Sequence, residues 1–126
     1  MIKGIGIDLV ELARIERVYR RFPQKFLARI FTSKEREELF RRQNLIPALA
    51  ARFAAKEAVV KALGSGIGAV SWQDIELLRE ENTAPSVNLY GTAKEFAIRF
   101  GIDGLKVSWS HGRNYAVAQA VAYGVF

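Results

Sequence analysis

The chain has 126 residues, half of them apolar and a quarter charged, which fits one domain spanning 1–126 with a modest core. A net charge of +6 and an isoelectric point near 9.9 predict a polyanionic partner: nucleic acid, an acidic protein or a phosphorylated cofactor. The absence of cysteine excludes a disulfide framework and thiolate chemistry, and no run reaches the ~18 apolar residues of a membrane span. Met1 to Asp8 carries an early acid and no long apolar run, so it does not read as a signal peptide, and a cytoplasmic location is the expectation.

Residues 2–8 alternate apolar side chains with glycine and predict a short strand ending at Asp8. From Glu11 the period becomes helical, with Leu12, Ile15, Tyr19 and Phe22 on one face, until Pro23 ends the run. Arg14, Arg17 and Arg21 lie on the opposite face, and Lys25 and Arg29 continue the positive charge. Such a face is either simply solvated or a docking surface for an acidic partner. A short helix from Gln24 to Ile30 follows. Thr32 with Glu35 has the form of a capping box and starts a charged helix through about Arg42. Pro47 fits the first turn of a helix that runs to Leu63 and stops at Gly64. Gly64-Ser65-Gly66-Ile67-Gly68 is then a loop.

The second half is richer in strands. Asp74 to Arg79 and Ser86 to Tyr90 are joined by a polar turn holding Asn82 and Pro85. Thr92 to Phe100 predicts a helix ending at Gly101. Leu105 to His111 and Tyr115 to Tyr123 form a hairpin through Gly112, Arg113 and Asn114. Helices and antiparallel strands in separate blocks indicate an α+β fold, a small antiparallel sheet packed with helices.

Phe53, Glu57 and Lys61 are spaced four apart on the Ala-rich helix and share a face. Glu57 and Lys61 are readable as an ordinary exposed ion pair. Three features favour a site instead: the helix is otherwise built from Ala, Val and Leu, it runs into a glycine loop whose backbone allows close ligand approach, and Asp8 is a second isolated carboxylate. Asp8 is equally readable as a cap before Glu11. Two carboxylates with phosphate oxygens suit Mg²⁺, whereas one His and no Cys do not suit zinc.

Four ordered blocks then coincide: Gly6-Ile7-Asp8, Arg52-Phe53-Ala54-Ala55-Lys56-Glu57-Ala58 with Lys61-Ala62, Gly64-x-Gly66-Ile67-Gly68, and Ser108-x-Ser110-His111. From Ile5 to Ala120 the chain resembles the small, holo-[acyl-carrier-protein] synthase type of 4′-phosphopantetheinyl transferase. The resemblance implies an enzyme that moves the phosphopantetheine of coenzyme A onto a serine of apo acyl carrier protein, releases 3′,5′-ADP, and serves fatty acid biosynthesis. It implies Mg²⁺ on Asp8 and Glu57, Lys61 beside the pantetheine-bearing phosphate, and Arg52, Lys61, Gly64, Ser65, Gly66 and His111 around coenzyme A. Glu57, Lys61 and His111 become the catalytic candidates. The serine proton has three possible acceptors: Glu57, a water on the ion, and His111. The basic helix, through Arg14, Arg21 and Lys25, would receive the acidic carrier, and relatives of this size are homotrimers with sites between subunits.

The pattern has departures. Gly112 follows His111 where relatives often carry an acidic or polar residue, Trp109 is bulkier than the usual aliphatic, and Thr83-Ala84-Pro85 replaces a common Gly-Lys-Pro. Two other readings compete. A nucleic-acid-binding module fits the charge, but no zinc finger, aromatic ribonucleoprotein motif or helix-turn-helix is present. A non-catalytic trimeric scaffold is opposed by the intact Asp8, Glu57 and Lys61.

Overall fold

The computed structural model describes residues 1–64, 70–80 and 82–125. Small side chains set its architecture. β1 (Ile2–Glu11) pairs antiparallel with β5 (Tyr115–Tyr123), and β5 with β4 (Gly104–His111), giving the sheet order β1-β5-β4. Ala116, Ala118, Ala120 and Ala122 alternate along β5 onto one buried face. Gly4 and Gly6 stand opposite Ala122 and Ala120 and extend that face onto β1.

α4 (Leu45–Leu63) packs on this surface through its own alanines. A Cβ at Gly6 would collide with the Ala58 carbonyl oxygen, and one at Gly4 with that of Ala62. Glycine is therefore required by the close approach of helix to strand. The same approach brings the residues flanking Ala58 and Ala62 level with β1.

The remaining elements wrap this layer pair. α1 (Leu12–Arg21) and α2 (Pro23–Ile30) form one corner, and Pro23 stands where a helix tolerates it best, in the first turn. α3 (Ser33–Leu39) starts with the expected capping box: the Glu35 amide donates to Thr32 Oγ1 at 3.2 Å and the Thr32 amide to Glu35 Oε1 at 2.9 Å. β2 (Ile75–Leu78) and β3 (Ser86–Leu89) make a separate antiparallel pair, and α5 (Gly91–Arg99) follows. Phe31, Leu39, Leu49, Val59, Ile75 and Leu77 fill the centre.

Three expectations change. β1 does not stop at Asp8: Leu9, Val10 and Glu11 keep pairing with β5, so Asp8 lies mid-strand opposite Ala118 rather than acting as a cap. α3 ends at Leu39, because Arg41 and Arg42 donate three residues back, to Glu38 and Leu39, and tighten the chain into a turn. The α+β fold with small antiparallel sheets is as expected, but its strands are not all in one block: the first strand closes on the last hairpin, and the Met1 ammonium donates to the Gly124 carbonyl at 2.7 Å.

Candidate active site

Lys61 shows how the helix and strand meet. Its ammonium donates to the Ile7 carbonyl at 2.9 Å and to Asp8 Oδ1 at 3.2 Å. Among the described residues Lys61 forms no ion pair with Glu57; its partner comes from β1. Glu57 stands one turn earlier on α4, half-buried, with no hydrogen bond or ion pair given to its carboxylate among the described residues. Burial pushes the Glu57 carboxyl above its ordinary pKa, the charge of Asp8 adds to this, and Lys61 and Arg14 oppose it. Two carboxylates are thus held close enough to repel each other, one of them partly desolvated. Such a pair gains from a cation.

Asp8 and Glu57 open into a groove of about 780 Å³. Its apolar lining includes Val18, Phe22, Phe26, Ile30, Phe53 and Trp72, and Arg14, Lys25 and Arg29 bring positive charge to it. Phe53 and Trp72 pack with ring centroids 5.2 Å apart. Arg14, Val18 and Phe22 follow each other at helical spacing, so α1 contributes both charge and apolar surface. Arg21 is not in the lining; it lies over the Phe22 ring at 5.3 Å, with Lys25 over the same ring at 5.8 Å.

The other face of α4 is sealed. Arg52 is 2% exposed, donates to the Leu77 carbonyl at 2.7 Å, pairs with Glu38, and lies over the Trp109 ring at 4.7 Å. Its guanidinium is committed to holding α3, β2 and β4, not presented to a ligand as expected from its place in the motif. Glu38 also accepts from the Arg79 amide and from Arg42. Burial pushes the Glu38 carboxyl up, but the hydrogen bond from Arg52, the Arg79 amide, the Arg52 charge and Arg42 outweigh it and leave the pKa below its ordinary value. Lys56 is fully buried against Glu35 at 2.7 Å.

The structure therefore brings together Asp8, Glu57, Lys61, Arg14 and Lys25. His111 stands apart: it closes β4 opposite Ala116, is exposed, and lies two strands from β1. Gly64 caps α4 with φ 78°, a left-handed conformation that favours glycine. Ser65 and Gly66 lie outside the described residues. Trp72 and Phe26 went unnoticed in the sequence as groove residues. Their only signal was an aromatic after a glycine loop and one in a short helix, and neither marks a groove without the fold.

Among the described residues no cluster of three or more His, Cys, Asp or Glu is present, so a complete protein cage for an ion is not built here. Two carboxylate oxygen donors fit a hard divalent cation that keeps water and takes phosphate oxygens for the rest of its shell.

Two close carboxylates beside an ammonium, at the mouth of a groove carrying Arg14, Lys25 and Arg29, have the charge pattern that suits a cation and anionic groups. A family model described as the 4′-phosphopantetheinyl transferase superfamily matches residues 4–120. The chain is 44% identical over 123 residues to a holo-[acyl-carrier-protein] synthase of Natranaerobius thermophilus, covering 98% of each. Among solved structures it resembles the synthase of Neisseria meningitidis, with 37% identity, a TM-score of 0.88, and coverage of 98% of this chain and 99% of that one. It also resembles the Helicobacter pylori synthase solved with coenzyme A, at 37% identity, a TM-score of 0.82, and coverage of 94% and 99%. The chain belongs to the 4′-phosphopantetheinyl transferase superfamily.

Proposed function

We propose that this chain transfers the 4′-phosphopantetheine group of coenzyme A to a serine of apo acyl carrier protein, with Mg²⁺ at Asp8 and Glu57 and release of 3′,5′-ADP. One observation carries the reading: Asp8, Glu57 and Lys61 meet at the head of a groove that bears Arg14, Lys25 and Arg29. The serine oxygen forms the new bond to the β-phosphorus as its proton passes to a base, for which Glu57, a water and His111 are the candidates. The bond from that phosphorus to the bridging oxygen breaks, so the bridging oxygen leaves with 3′,5′-ADP. Transfer of this kind depends mainly on positioning and charge neutralisation. A divalent ion between the two carboxylates would neutralise pyrophosphate charge. Lys61 orients Asp8 and, with its ammonium half exposed, sets a fixed positive charge where phosphate charge develops. Arg14 and Lys25, with Arg21 flanking them, steer an acidic carrier into the groove, and Phe22, Phe26 and Trp72 offer it apolar contact.

Coenzyme A and acyl carrier protein are the partners in this reading, and neither nucleic acid nor a membrane takes part. It places the chain in cytoplasmic fatty acid and lipid biosynthesis. The groove is completed in a homotrimer. Ile5, Ile7 and Leu9 are each more than 60% exposed on the face of the sheet away from α4, an apolar surface suited to a second copy. His111, two strands from its own Asp8, then serves the groove of a neighbour.

The test is direct. Apo carrier protein incubated with the enzyme, coenzyme A and Mg²⁺ gains the mass of phosphopantetheine on its serine, and chelation of the divalent ion abolishes the gain. No mass gain under these conditions overturns the reading. For the assembly, Asp8→Ala subunits mixed with His111→Ala subunits recover activity that neither has alone. Failure to recover returns His111 to its own chain.

A further inference from the structure

We propose that Lys56 is a positioning residue for carrier recognition, whose buried ammonium fixes the end of α2 and the Trp72 turn, two parts of the groove that receives the acyl carrier protein. Nothing in the reaction uses Lys56, yet it is among the most constrained side chains in the molecule. Its Nζ donates to the Ile30 carbonyl at 2.7 Å, to the Trp72 carbonyl at 3.0 Å and to Glu35 Oε1 at 2.7 Å. These three bonds use all three donors of an ammonium. Ile30 is the last residue of α2, so its carbonyl has no partner within the helix. Trp72 opens the 3₁₀ turn Trp72–Asp74, which leads into β2. Both residues line the groove, from different elements, and Lys56 joins their backbones, beside Gln73, whose amide donates to the Ala28 and Phe31 carbonyls.

The ammonium is itself held. Glu35 accepts from Lys56 and the Thr32 amide through one oxygen and from the Leu77 amide through the other, which fixes it to α3 and β2. One turn before Glu57, Phe53 packs on the Trp72 ring, so a displaced Trp72 also unseats the wall next to the acidic pair. Lys56 and Glu57 are neighbours on α4 with separate jobs: Glu57 faces the groove, and Lys56 shapes it from behind.

This inference rests on the proposed transfer activity, and it is tested by steady-state kinetics with apo carrier protein and coenzyme A varied in turn. Lys56→Met alone leaves Glu35 as an unpaired buried charge and risks unfolding. The double variant Glu35→Gln/Lys56→Met removes both charges and keeps similar volumes, so the comparison is made with it. The expected result is a rise of about tenfold or more in KM for the carrier, with KM for coenzyme A and kcat changed by no more than about twofold. An unchanged carrier KM, with only a lower Tm, would show that Lys56 merely supports the fold. Equal rises in both KM values, or a collapse of kcat, would place its effect at the reacting centre. Either result overturns the proposal, whereas absence of transfer by the wild-type protein overturns the activity beneath it.

Discussion

The two faces of α4 carry the same kinds of side chain in opposite states. Toward β2, Arg52 and Lys56 are buried, and Glu38 and Glu35 meet them with hydrogen bonds on every side. Toward β1, Glu57 and Lys61 stand at a groove mouth with Asp8, where the carboxylates outnumber the ammonium and Glu57 has no hydrogen-bond or ion-pair partner among the described residues. Buried ions need partners because water no longer compensates them. An open site leaves charge uncompensated so that a ligand completes it. One helix thus separates buried, fully paired charge from charge exposed at a groove, with Lys56 and Glu57 adjacent in sequence.

Substitutions should split along that line. Lys56→Ala strands Glu35 in the core, and breaking a buried pair from one side costs about 3–5 kcal/mol, so thermal unfolding should show Tm falling by about 10 °C or more. On the other face, Asp8→Ala or Glu57→Ala should lower Mg²⁺-dependent transfer by about 100-fold or more with Tm maintained. Near-normal turnover in either variant would remove the acidic pair from the mechanism.

Gly6→Ala tests what holds the two faces in place. Its methyl meets the Ala58 carbonyl and must push α4 from β1, an overpacking that costs about 1–3 kcal/mol and separates Glu57 from Asp8. Stability and activity should fall together, and loss of stability alone would show that the acidic pair does not depend on this contact. Reversing Arg14 and Arg21 to Glu should lower kcat/KM for the carrier by about tenfold at low salt while KM for coenzyme A stays constant. Equal use of the carrier by wild type and variant would take this helix out of the docking surface.

The smallest effect is also the most specific, because the two faces answer acid with opposite sign. Glu38 has a folded pKa below its ordinary value, so the stability it contributes is present above the unfolded pKa of 4.5 and is lost as pH falls through the lower folded value. Glu57 has a folded pKa above 4.5, so its ionisation weakens the fold without a divalent ion once pH rises past 4.5. Glu57→Gln should therefore raise Tm slightly at pH 7 in the presence of chelator, and the gain should vanish near pH 4. A gain that persists at pH 4 would mean that Glu57 is not strained by charge.

The sequence by itself determined the local elements and named the residues of a candidate site. The Thr32–Glu35 box, Pro23, Gly64 and the hairpin turn act over a few residues, so their physics is complete within a short segment. The ordered motifs identified Asp8, Glu57 and Lys61 as belonging together. What the sequence left open was the burial of each charge, since Arg52, Lys56, Glu57 and Lys61 have similar spacing and similar chemistry. Only the tertiary structure decided that Arg52 and Lys56 turn into the core and that Lys61 bonds Asp8 rather than Glu57. The reason is the approach of α4 to β1 over Gly4 and Gly6, a contact between residues far apart in the chain that no local pattern encodes. Where backbone meets backbone that closely, one face of the helix is closed by β2 and the other opens to the groove.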